Sequence, residues 1–253
     1  YTQDAHLQNQ LIHTHGTCSV IDGILTGHKD LFSRRSPGKT CLASLRSGGM
    51  GTIARPINHS QGCGGLTRAA PIGLAYPDAE ASFKLGCQAA AITHGHPTGF
   101  LSAGFLAALI SRLASGEPIM DAAAEAIRIL KMQMDHGGCI QAVEGVLALA
   151  NGGSKPTPEV VETLGGGWTA DEALTIGLYC TLVAAGDFRQ GILLAVNHSG
   201  NSASTGSIAG NLLGAQLGVD AIPDEWLTDL EMKALIEEVA TDLFERFTTC
   251  PPE

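Results

Sequence analysis

From Leu66 onward, apolar residues return every third or fourth position, and short polar stretches interrupt them. That spacing puts apolar side chains on one face of a helix. The pattern predicts helices over Thr40–Ser47, Leu66–Ala75, Asp78–Thr93, Thr98–Ser115, Pro118–Met134, Cys139–Ala150 and Phe188–Val196. Thr98–Ser115 is almost wholly apolar and small, so it is expected to be a central helix buried on several faces. Asp78 can cap one helix, Thr157-Pro158 places a cap before a first-turn proline, and Thr169-Ala-Asp-Glu172 is a capping box opening a helix to about Ala185. Thr228-Asp-Leu-Glu231 is a second capping box, expected to open a last helix to about Phe247. Tyr1 to about Thr26 carries an irregular apolar pattern that also suggests a helix. No strand pair and no alternation of strands with helices is visible. The expectation is an all-α fold, a compact bundle of roughly ten helices in one domain.

Two stretches break the apolar period. Gly48–Gly65 is rich in Gly, Asn and Ser, and a loop of this length within a domain is usually functional or mobile. Asn197–Gly218 begins as polar loop and ends as a helix with Ile208, Leu212, Leu213 and Leu217 on one face. Ser204 or Thr205 can cap that helix, and Gly206, Gly210 and Gly214 would let another backbone approach closely. A helix start presents free N–H groups and a positive dipole end, which suits an anion such as phosphate.

Composition narrows the class. The 253 residues include 32 Gly and carry a formal net charge of -10, which argues against a nucleic-acid backbone as a general partner. Cys18, Cys41, Cys63, Cys87, Cys139, Cys180 and Cys250 are odd in number and lack CxxC spacing, which fits reduced thiols in a cytosolic protein better than a zinc site or disulfides. No apolar run is judged long enough to span a bilayer, so no membrane partner is expected, and no signal peptide is visible. Cys63 could act as a nucleophile only with a base such as His59 beside it; a packed thiol is the commoner case. Gly62-Cys63-Gly64-Gly65 could cradle a phosphate, but it lacks the Lys-Ser/Thr ending of a P-loop, and alone it reads as a connector.

In order, however, these stretches resemble the ADP-ribosylglycohydrolase family. Thr2-Gln3-Asp4-Ala5 stands where the family has Thr-Asp-Asp-Thr. Ser60 to Ala75 is similar to its glycine-rich substrate loop and following helix, Thr93-His94 to its threonine-histidine pair, and Gly200-Asn-Ser-Ala-Ser-Thr-Gly206 to its Gly-Asp-Ser-Asp-Ser-Thr-Gly. Gly167-Trp-Thr-Ala-Asp-Glu-Ala-Leu and Ala195-Val-Asn-His-Ser resemble family members as well. The resemblance implies an all-α hydrolase that removes ADP-ribose from modified side chains. It also implies that the family's N-terminal glycine-rich helix is missing ahead of Tyr1.

By the same resemblance, two magnesium ions would be held at Thr2, Gln3, Asp4, Asn201, Ala203 and Ser204. Three of the four family carboxylates are replaced, by Gln3, Asn201 and Ala203; Asp4 alone keeps its charge and is the remaining catalytic candidate. Magnesium prefers anionic oxygen, so weak binding of at most one ion is expected, and hydrolysis should be impaired. Ser60, Gln61, Gly62, Cys63 and Gly64 would face the diphosphate and ribose, with His94 lining the same cleft. Two readings follow. One is a magnesium-assisted glycosidic-bond hydrolase acting on ADP-ribosylated protein. The other is an impaired pseudo-hydrolase that binds ADP-ribose, an ADP-ribosylated target or an ADP-ribosyltransferase. The glycine loop is expected to lie outside the helical core, so that Gly64→Val would weaken ligand binding and leave the fold intact.

Overall fold

The structure, a computed structural model, describes residues 37–249. The segment predicted as a first helix, with Thr2, Gln3 and Asp4, lies outside the described residues. Within them, 12 α-helices form and no strands. We label them α1 (Lys39–Arg46), α2 (Ala70–Ala75), α3 (Ala79–Ala91), α4 (Pro97–Ala114), α5 (Ile119–Lys131), α6 (Gly137–Asn151), α7 (Pro158–Glu162), α8 (Ala170–Val183), α9 (Phe188–Val196), α10 (Ser202–Leu217), α11 (Asp224–Thr228) and α12 (Lys233–Thr249).

The caps explain where these helices start. Asp78 accepts from the Ala81 amide at 2.7 Å at the head of α3. His96 Nδ1 accepts from the Thr98 amide at 3.1 Å, and Pro97 fills the first position of α4. The Glu172 carboxylate accepts from the amides of Trp168 and Thr169 at 3.1 and 3.4 Å, ahead of α8. Asp78→Ala is expected to cost about 1 kcal/mol, read as a lower midpoint in chemical denaturation. An unchanged midpoint would remove the cap from the account of α3.

Helix α4 is the centre, as its uniform apolar character predicts. Residues on all its faces, including Phe105, Leu106, Leu109 and Ile110, are buried. It packs most extensively on α3 and also touches α2, α5, α8 and α10. The α3–α4 crossing is close because Gly104 has no side chain: a Cβ there would lie 2.7 Å from the Phe83 carbonyl oxygen and 2.4 Å from Cys87 Sγ. Pro97–Ala114 is in fact long and apolar enough to cross a membrane, with mean hydropathy 1.3. It is the core helix instead, 78% buried inside the protein.

Three expectations need correction. The Leu66–Ala75 helix divides into a 3-10 turn, Leu66–Arg68, and α2, with Pro71 in the first turn of α2. Thr228 does not open the last helix. Its hydroxyl back-bonds to Asp224 at 2.9 Å and closes α11, and α12 starts at Lys233 after Met232 turns the chain with φ 58°. The glycines of α10 do not admit a neighbouring backbone. A Cβ at Gly206 would meet the Val196 side chain and one at Gly214 nothing, while Ile208, Leu212 and Leu213 form the buried face as expected.

Candidate functional site

The glycine loop is pinned rather than free. Asn58 Nδ2 donates to the Thr93 carbonyl at 2.8 Å and to Ser44 Oγ at 3.0 Å, and its Oδ1 accepts from the amides of Ser60 and Gly95. Ser60 Oγ then accepts from the Gly62 amide at 3.2 Å. Beyond it, an isolated antiparallel bridge pairs Gly62 with Thr169. The Cys63 amide donates to the Trp168 carbonyl at 3.1 Å, and the Ala170 amide to the Gln61 carbonyl at 2.8 Å. The loop is thus stitched to the start of α8.

The same strip reaches α10. The Asn201 amide donates to the Gly166 carbonyl at 2.8 Å, and a Cβ at Gly200 would lie 2.2 Å from that oxygen. Asn201 is the cap of α10: its Oδ1 accepts from the Ser204 amide at 3.4 Å. Neither Ser204 nor Thr205 serves as the cap, because both lie inside the first turn. Thr205 Oγ1 instead donates back to carbonyls, at 2.7 Å to that of Ala195. Asn201 Nδ2 donates to Ser204 Oγ at 2.9 Å, to the Gly167 carbonyl at 3.2 Å and to Cys63 Sγ at 3.4 Å. The Cys63 thiol donates to Ser204 Oγ at 3.3 Å.

Beneath the loop lies His94, with 1% of its surface exposed. Cβ atoms placed on Gly62 and Gly64 would come within 3.4 and 3.1 Å of its ring. The absence of side chains at those two positions lets backbone and imidazole stack in contact. Thr93 Oγ1 lies 2.8 Å from His94 Nδ1. Arg68, 3% exposed, reaches under both residues and donates to Thr93 Oγ1, to the Ala89 carbonyl at 2.9 Å and to the Gly64 carbonyl at 3.3 Å.

So the structure brings together Ser60, Gly62, Cys63, Gly64, His94, Asn201 and Ser204 from three distant stretches. Gln61 is at the exposed rim, its amide 3.3 Å from His96 Nε2. Ala203 is exposed in the first turn of α10. His59 is exposed and makes no hydrogen bond to Cys63 among the described residues, so the nucleophile-base pair considered for Cys63 does not form. Burial pushes the Cys63 thiol above its usual range, further from the reactive thiolate.

Burial, aided by the Arg68 charge, lowers the His94 pKa from 6.5 to about 4. In an NMR pH titration, His94 is expected to stay neutral down to about pH 4 while an exposed imidazole titrates near 6.5. Its folded pKa lies below its unfolded one, so the unfolded chain binds the extra proton between those values. The stability His94 contributes is therefore present above pH 6.5 and is lost as pH falls towards 4. A His94 resonance titrating near 6.5 would contradict the burial.

Sequence reasoning missed Arg68, His198 and the 165–168 strip as organisers of the site. His198, 7% exposed, accepts from the Gly200 amide at 3.0 Å through Nδ1 and contacts Thr205 Oγ1 through Nε2 at 2.9 Å, so it holds the turn into α10. The signal was a histidine inside a glycine-serine stretch, and paired glycines at 165 and 167, both with positive φ.

With this geometry in view, comparison with known proteins is decisive. A family model described as ADP-ribosylglycohydrolase matches residues 2–253. The chain belongs to the ADP-ribosylglycohydrolase family. Relatives include an uncharacterized protein of Archaeoglobus fulgidus, 30% identical over 197 residues, covering 74% of this chain and 59% of the relative. The ADP-ribosyl-(dinitrogen reductase) glycohydrolase of Rhodospirillum rubrum is 27% identical over 199 residues, covering 78% of this chain and 60% of the relative. Human ADP-ribosylhydrolase ARH3 is 24% identical over 197 residues, covering 68% of this chain and 54% of the relative. The chain therefore spans little more than half the length of these relatives. A solved structure titled ADP-ribosylglycohydrolase-related protein complex matches with TM-score 0.65 and 25% identity, covering 96% of this chain and 79% of its own. The all-α ADP-ribosylglycohydrolase fold expected from the sequence is thus confirmed.

The donors on the α10 side do not suit the magnesium expected there from the resemblance. Asn201 spends its carbonyl oxygen on the cap and its amide on three acceptors, Ala203 has no donor atom, and Ser204 Oγ is held by Asn201 and Cys63. Among the described residues, no group of three or more His, Cys, Asp or Glu side chains could hold a metal ion.

Proposed function

We propose that this ADP-ribosylglycohydrolase-family chain binds the ADP-ribosyl group of a modified protein where the glycine loop meets the start of α10, and that binding there needs no magnesium. The observation that carries this reading is the packing of Gly62 and Gly64 directly on the neutral His94 ring, beside the first turn of α10. Ser60, Gln61, Gly62, Cys63 and Gly64 would follow the diphosphate and ribose. The buried Arg68 guanidinium lies behind them and favours an anion electrically. The positive end of the α10 dipole adds to the same field.

Family membership supports hydrolase-type chemistry, and it favours a second reading: cleavage of the glycosidic bond to the modified side chain. In that reading Asp4, with Thr2 and Gln3, would supply what remains of a magnesium site. The Asn201, Ala203 and Ser204 side offers no carboxylate, so we place tight binding with weak or absent turnover first.

Calorimetry with ADP-ribose, with and without magnesium, together with release of ADP-ribose from an ADP-ribosylated protein, separates the readings. Binding that is indifferent to magnesium, with no release, is the expected result. Magnesium-dependent release would establish the hydrolase instead. Neither binding nor release would overturn both.

A further inference from the structure

The two polar atoms of the His94 ring face different surroundings. Nδ1 points to Thr93 Oγ1 at 2.8 Å. Nε2 lies on the side of the glycine loop, 3.4 Å from a Cβ placed on Gly62 and 3.3 Å from one on Gly64, and it makes no hydrogen bond among the described residues.

Counting donors decides where the imidazole proton sits. A guanidinium only donates, so the Arg68 contact makes Thr93 Oγ1 an acceptor. The Thr93 hydroxyl still has its own proton to place, and Thr93 is 1% exposed. Its Oγ1 has two hydrogen-bond partners among the described residues, Arg68 and His94 Nδ1. If Nδ1 carried the proton, Thr93 Oγ1 would accept twice and its own proton would be buried without an acceptor. Leaving a buried donor without an acceptor costs more than a hydrogen bond gains, enough to choose the tautomer. The hydroxyl therefore donates to Nδ1, and the ring proton goes to Nε2.

We propose that Arg68 is a positioning residue: through the Thr93 hydroxyl it fixes His94 as a neutral imidazole with its proton on Nε2, a donor presented to the underside of the glycine loop. The ligand class this suits is an oxygen acceptor, a phosphate or ribose oxygen that reaches Nε2 beside Gly62 and Gly64. That part rests on the functional reading above. The other tautomer would turn a lone pair towards the same oxygen and repel it. Burial beside the guanidinium keeps the ring from charging near neutral pH. Histidine thus acts here as a fixed dipole rather than as a titrating base.

The test reads the tautomer directly, in ligand-free protein, from two-bond 15N–1H correlations of histidine-labelled samples. His94→Asn identifies the resonance by its loss. The parent is expected to show a single Nε2–H tautomer. Thr93→Val, which keeps the side-chain shape and removes the hydroxyl, is expected to give the Nδ1–H form or a mixture. Thr93→Ser should restore the parent spectrum. Arg68→Met, which keeps the stem and removes the donor, is expected to mix the tautomers as well; should that variant fail to fold, the Thr93 pair decides.

In parallel titrations with ADP-ribose, Thr93→Val should bind about tenfold more weakly, the value of one hydrogen bond, and Thr93→Ser should bind like the parent. A parent ring protonated on Nδ1 would overturn the proposal. So would a Thr93→Val protein that keeps the Nε2–H form, or a folded Arg68→Met protein, which has no donor at that place, that keeps it while Thr93→Val loses it. If the parent does not bind ADP-ribose, the functional reading fails, and the ligand-free spectra still decide the Arg68–Thr93–His94 chain.

Discussion

Gly64→Val is expected to lower the melting temperature by several degrees and to weaken ADP-ribose binding in the same protein. An ideal Cβ at residue 64 would sit 3.0 Å from Cys41 Sγ and 3.1 Å from His94 Cε1. Both neighbours are 1% exposed, so neither has open space to move into. Valine adds two further carbons in the same direction. Overpacking of this kind costs about 1–3 kcal/mol, and each kcal/mol moves the midpoint of a domain this size by about 2–4 °C. The displaced imidazole is also the group on which the glycine loop rests, so affinity should fall with stability. Gly64→Ala should produce the same two effects at smaller amplitude. A thermal melt and a binding titration on one sample check both, and an unchanged melting temperature for the valine variant would contradict the packing. This corrects the expectation that the loop lies outside the core. Gly62, Gly64 and Gly65 are absent from the positive-φ positions, so space rather than backbone conformation requires them.

The contrast shows which features a chain displays openly. Helix α4 was legible because burial on every face leaves one trace, an unbroken run of small apolar residues. The caps at Asp78 and Thr157 and the box at Thr169 were legible because they act within four residues. The Thr228 box has the same letters but fails, because the Thr228 hydroxyl is already engaged with Asp224 at the end of α11. Letters alone do not say whether a threonine stands before a helix or at the end of one.

The site was legible only through the order of its stretches. Periodicity places Gly62–Gly65, Thr93-His94 and Asn201–Ser204 in three loops and says nothing of their meeting. Resemblance to the family supplied that, and the geometry agrees for the described stretches. Arg68 escaped notice because a single arginine in an apolar helix start resembles a solvated surface residue. Its value lies in carbonyls and a hydroxyl contributed by Gly64, Ala89 and Thr93, which the sequence does not place near it.

Returning the family's carboxylates, by Gln3→Asp, Asn201→Asp and Ala203→Asp together, is expected to tighten magnesium binding by more than about tenfold, because hard cations are held chiefly by anionic oxygen. On the α10 side the substitutions are close in shape or fall on exposed surface. Aspartate caps a helix as well as asparagine does and gains from the α10 dipole, so the Ser204 amide keeps its acceptor. Ala203 is exposed in the first turn, where a carboxylate lies near the positive helix end. What is lost is the Asn201 Nδ2 donor, and with it the links to the Gly167 carbonyl, Ser204 Oγ and Cys63 Sγ. That loss removes one of the two hydrogen bonds on Ser204 Oγ and leaves the one from the Cys63 thiol. The double variant Asn201→Asp/Ala203→Asp, with Gln3 left in place, isolates the α10 contribution and should show an intermediate gain. Magnesium calorimetry on parent, double and triple variants makes the comparison, with a melt of each to verify folding. If the folded triple variant binds magnesium no better than the parent, these positions do not form an ion site in this chain, and the match of Asn201 and Ala203 to the family's metal carboxylates is wrong.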